Sequence, residues 1–70
     1  MTNVDLLKDK IAAMGVTITF LAREMGISRE GLYNKINGDT EFKGSEIAML
    51  ARLLHMSLEE REQIFFCLKM

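Results

Sequence analysis

The segment Thr17–Gly38, TITFLAREMGISREGLYNKING, decides how this chain folds. It holds two short apolar stripes, each bounded by a start and a stop. Thr17 can cap a helix start, because its hydroxyl can accept from a free backbone N–H of the first turn. Leu21 and Met25 stand at i, i+4 and share one face, with Ile18 close to it. Gly26 follows the last apolar residue and can take the left-handed conformation that ends a helix. Ser28 caps a second helix, Leu32 and Ile36 bury it at the same i, i+4 spacing, and Asn37-Gly38 closes it. The spacing predicts helices over 18–25 and 29–37. Ala22 lies one step round from the first stripe, where a bulkier side chain would push a crossing helix away. A pair of this kind holds its second helix out from the body of the domain.

These residues resemble the helix-turn-helix of the Cro/CI (phage repressor-like) DNA-binding domains. Ala22, Gly26 and Leu32 match the family's small, turn and buried positions at the right intervals, and Ile36-Asn37-Gly38 also matches. The resemblance extends over nearly the whole chain, with one helix before the motif and two after it. It implies an all-α, five-helix lambda-repressor-like domain whose third helix enters the major groove of double-stranded DNA. Two positions depart from the family. Gln often opens the first helix of the pair and contacts phosphate, and here that residue is Ile18; Glu is common two residues later, and here it is Phe20. One phosphate contact and a capping box are lost with them.

Outward from the motif, Val4, Leu7, Ile11 and Met14 form a helical stripe that Gly15 ends, which predicts a first helix over 4–14. The segment 38–44 is polar apart from Phe42 and reads as a loop, with Phe42 tucked onto the core. A fourth helix starts at Gly44 or Ser45 and places Ile47, Leu50, Ala51 and Leu54 on one face. Ser57 and Glu60 make a capping box for a fifth helix, along which Leu58, Arg61, Phe65 and Leu68 follow a helical step. The closing IFFCLKM also suits an extended strand.

Seventy residues are read as one domain, 1–70. A chain this short buries only about 60% of its unfolded surface. Apolar residues make up 49%, which excludes a disordered chain. No apolar run approaches the roughly 18 residues of a membrane span, and the opening MTNVDLLKDK lacks the form of a signal peptide. A single Cys excludes an internal disulfide. The expectation is a cytoplasmic protein of a bacterial host. Net charge is −1, which argues against strong phosphate binding. Its distribution softens the objection: Arg23, Arg29 and Lys35 outnumber Glu24 and Glu30 in the motif, while the acidic excess lies over 57–70.

The candidate base readers are Arg29, Glu30, Tyr33 and Asn34. Arg29 and Glu30 open the second helix of the pair, and Asn34 lies one turn beyond Glu30. Arg can bridge guanine O6 and N7, Asn can bridge adenine N6 and N7, and Glu can accept from cytosine N4. The plain alternative is a solvated helix face; the resemblance implies base contact at these motif positions. Candidate phosphate contacts are Thr17, Thr19, Ser28, Lys35, Asn37 and Lys43, with Tyr33 able to donate as well. For Thr17 and Ser28 capping alone is the simpler role. Gly31 sits inside a helix, where Gly costs about 1 kcal/mol relative to Ala; it marks either a close approach or tolerance in a short helix.

His55 has no second ligand at metal spacing, and Cys67 has no activating neighbour, so no cofactor, metal or small-molecule substrate is expected. No catalytic constellation appears either. The C-terminal apolar cluster exceeds what one helix can turn inward. Ile64, Phe66 and Met70 are therefore read as a homodimer surface, with Phe65 and Leu68 left to the core. The resulting expectation is a Cro-like phage or prophage repressor, or a small bacterial relative, that binds DNA as a homodimer. The competing expectation is a protein-interaction module of antitoxin or anti-repressor type with the same fold and little DNA binding.

Overall fold

A computed structural model describes residues 2–66. The elements are α1 (Val4–Met14), α2 (Ile18–Met25), α3 (Arg29–Ile36), α4 (Gly44–Leu53) and α5 (Leu58–Phe65), with no strand among the described residues. Small polar side chains set four of the five starts. Asn3 Oδ1 accepts from Leu6 N–H, Thr17 Oγ1 from Phe20 N–H, Ser28 Oγ from Gly31 N–H and Ser57 Oγ from Glu60 N–H. At α4 the first residue outside the helix is Lys43, which has no side-chain acceptor, so only the return half of a box forms: Lys43 N–H donates to Glu46 Oε1 at 2.8 Å.

Three helices stop in the same way. The N–H just after the turn residue reaches back to the carbonyl five residues earlier: Ile27 to Ala22, Asp39 to Asn34 and Met56 to Ala51. The turn residue is Gly26 at φ +70° and Gly38 at φ +86° in the first two, but His55 at φ +52° in the third. The third helix stops at Ile36, one residue earlier than the spacing predicts, and Asn37 becomes its cap.

The core draws on every element. Leu7 and Ile11 come from α1, Leu21 and Ala22 from α2, Leu32 and Ile36 from α3, Ile47, Leu50 and Ala51 from α4, and Ile64 and Phe65 from α5. Leu54 and the loop residue Phe42 complete it, and Phe42 meets Phe65 edge to face at 5.5 Å between ring centroids. α2 packs on α3 and α4, while α1 packs on α3 and α5. Two expectations need correction. Ile64, read as part of a dimer surface, is 3% exposed and belongs to the core. Leu58, read on one helical step with the core residue Phe65, is 77% exposed, and Met56 packs against the core just ahead of it. Ile64 and Phe65 are helical, which removes the start of the proposed strand. Cys67, Leu68 and Met70 lie outside the described residues.

Candidate nucleic-acid interface

α3 owes its position to its two ends and its one apolar face. The Gly26 turn delivers the chain from α2, Ser28 caps the start, and Leu32 and Ile36 are 0% and 1% exposed. A helix with only two buried side chains must show the rest to solvent. Arg29, Glu30 and Tyr33 are exposed, and Asn34 is half-buried at the edge of that face. The four candidate base readers therefore lie on one helix, with Asn34 less open than the other three.

The sequence-derived phosphate residues divide. Thr17, Thr19 and Ser28 are exposed around the starts of α2 and α3, and the Thr17 and Ser28 oxygens already accept the cap hydrogen bonds. Each hydroxyl keeps its own hydrogen to donate. Asn37 is half-buried at the end of α3, and Lys43 is exposed just before α4. Gly31 is explained locally: a Cβ there would stand 3.0 Å from the Ser28 hydroxyl oxygen, so the close approach is to the helix's own cap.

Lys35 is placed otherwise than expected. Its Nζ donates to Glu46 Oε1 at 3.0 Å and to the Glu41 carbonyl at 3.2 Å, and the Lys35 and Glu46 side chains are only 17% and 15% exposed. Burial pushes the Glu46 carboxyl up. The Lys43 N–H, the hydrogen bond from Lys35 and the charges of Lys35 and Lys43 outweigh that, and the carboxyl titrates below its ordinary value. The ion pair changes the electrostatics of the motif. With Lys35 neutralised internally, the exposed charges over 17–38 are Arg23 and Arg29 against Glu24 and Glu30, and they cancel. Glu46 was not found from sequence. The available signal was its place three residues after Lys43, where a carboxylate can turn back on a helix start.

Among the described residues no group of three His, Cys, Asp or Glu could hold a metal ion. No described helix is long and apolar enough to cross a membrane.

Five helices, with the second and third joined through a glycine turn and the third presenting a polar face, define a helix-turn-helix DNA-binding domain. The family model for the Cro/C1-type HTH DNA-binding domain matches residues 7–60, and the chain belongs to that family. The family is a non-enzymatic one whose partner is DNA. No curated protein and no solved structure matches the chain.

Proposed function

We propose that the chain is a sequence-specific transcriptional regulator of the Cro-like phage or prophage repressor kind, binding a two-fold operator as a homodimer with α3 in the major groove. The observation that carries this reading is the split of α3: Leu32 and Ile36 are sealed in the core while Arg29, Glu30 and Tyr33 face outward. Arg29 bridges guanine O6 and N7, Asn34 bridges adenine N6 and N7, Glu30 accepts from cytosine N4, and the Tyr33 hydroxyl donates to a base or phosphate oxygen. Thr17, Thr19, Ser28, Asn37 and Lys43 hold the phosphates on either side. Lys35 leaves this set, because its ammonium is engaged within the molecule.

The dimer uses the carboxyl-terminal end of α5. Phe66 is 47% exposed there, and Leu6 on α1 is 39% exposed in a cleft also lined by Ala13 and Gln63. Pairing covers these side chains and sets two copies of α3 about 34 Å apart, one turn of duplex. Selection of binding sites from a random duplex library tests the whole reading. A palindromic consensus with half-sites about one turn apart is the expected result, and recovery of unenriched sequence refutes it.

One observation favours a second reading. The cancelled charge over 17–38 weakens sequence-independent attraction to DNA, which suits a module of antitoxin or anti-repressor type that works mainly by binding protein. Retention on heparin separates the two: release at very low salt favours the protein-binding module.

A further inference from the structure

We infer that Glu46 is an internal surrogate for a DNA phosphate, holding Lys35 out of sequence-independent binding; the inference rests on the DNA-binding reading above. A phosphate at the edge of a helix-turn-helix seeks an ammonium and a free helix-start N–H. Both are present between α3 and α4, and Glu46 Oε1 occupies both. It accepts from Lys35 Nζ at 3.0 Å and from Lys43 N–H at 2.8 Å. The Glu41 carbonyl takes a second ammonium hydrogen at 3.2 Å. The carboxylate is fixed at the start of α4 by a backbone donor, and both charged side chains are more than four-fifths covered. Swinging Lys35 out to a phosphate therefore strands Glu46 beside a helix start, largely covered and without its counter-ion.

The consequence is selective. Every duplex offers the same phosphates, so each free cation near α3 strengthens binding to all sequences alike. With Lys35 withheld, attachment depends in larger proportion on base edges. Lys35 still serves the complex by joining the last turn of α3 to α4, which keeps the reading face at a fixed angle.

The test is the salt dependence of binding to a random-sequence duplex by the wild type, Glu46→Gln, Lys35→Met and the double variant. Gln retains an oxygen for Lys43 N–H while removing the negative charge that holds the ammonium. Glu46→Gln is expected to bind several-fold tighter at low salt, with a log–log slope steeper by about 0.9, the increment for one more phosphate neutralised. Lys35→Met is expected to leave the slope unchanged, and the double variant to return to it. Circular dichroism reports whether each variant is folded. A Lys35→Met slope shallower by about 0.9 overturns the inference, as does a folded Glu46→Gln with the wild-type slope. If Glu46→Gln does not fold, the Lys35→Met slope decides alone. Failure of the wild type to prefer any selected operator refutes the proposed function instead and leaves these slopes readable. Absence of binding by both wild type and Glu46→Gln at the lowest salt refutes the inference.

Discussion

α3 and α5 are the same length, eight residues, and each begins behind a serine whose hydroxyl accepts from the N–H three residues on. They part at that third position. In α5 it is Glu60, whose Oε1 accepts the Ser57 N–H at 2.9 Å and whose two oxygens receive Lys10 Nζ at 3.1 and 3.0 Å. In α3 it is Gly31, and no carboxylate turns back. The same contrast separates α2, with Phe20 there, from α4, with Glu46. The starts of the helix-turn-helix pair are left open, and the two later helices are closed by their own glutamates. One residue three places into a helix thus decides whether its free N–H groups are used inside the molecule or remain available to an outside oxygen.

The largest effects test whether the two helices share a core. Phe65→Ala removes the edge-to-face partner of Phe42 and is expected to cost about 3–5 kcal/mol, and Leu32→Ala about 2–5 kcal/mol. Urea titration followed by circular dichroism is expected to show one cooperative transition in each. A Phe65→Ala protein that loses α5 alone and keeps α2 and α3 breaks the symmetry of the comparison. Arg29→Ala acts on one side only. It is expected to cost about 1–3 kcal/mol on a selected operator, with relaxed preference at one base pair and an unchanged unfolding midpoint. Equal losses on random duplex contradict its role as a reader.

Smaller effects probe the stops. Gly26 has no neighbour within 4 Å of a built Cβ and a φ of +70°, so Gly26→Ala is expected to lose about 1–2 kcal/mol through backbone strain alone. His55 holds the equivalent place after α4 at φ +52°, so His55→Gly is expected to gain about 0.5–1 kcal/mol, the left-handed strain relieved less the chain entropy that Gly adds. Thermal midpoints measure both. The gentlest signal is the response to acid. The Ser57 N–H first, then Lys10, lowers the Glu60 carboxyl against a small opposing burial, and Glu46 is lowered as well. Their ionised forms therefore favour the fold. That contribution is complete above the ordinary value of about 4.5 and is lost as pH falls through the lowered folded values. Melting at pH 7 and pH 3 is expected to differ less in Glu60→Gln than in the wild type.

Much of this was legible in the chain because it is local. Caps at Thr17, Ser28 and Ser57, stops at Gly15, Gly26 and Gly38, and apolar residues at i, i+4 all act within one or two turns. They place the starts of all five described helices and the ends of the first three to within a residue, and they place Phe42 in the core. What was not legible acts across loops or depends on rotation by one residue. Lys35 and Glu46 are eleven positions apart, and Lys10 and Glu60 fifty apart, so neither pair leaves a periodic trace. Ile64 and Phe66 differ by two steps of about 100° on a helix; near the end of a short helix, composition alone does not say which faces inward. Leu58 stands out for the same reason at the opposite end.

Asn3 N–H donates to the Ile64 carbonyl at 2.6 Å. That link has a practical corollary for handling the protein. An affinity tag or fluorophore joined ahead of Asn3 emerges at the end of α5, next to the exposed Phe66, and close to the Gly38 turn that ends α3. For the dimer proposed above, labels placed there report proximity between copies, whereas a bulky fusion at the same point crowds the proposed seam and understates self-association.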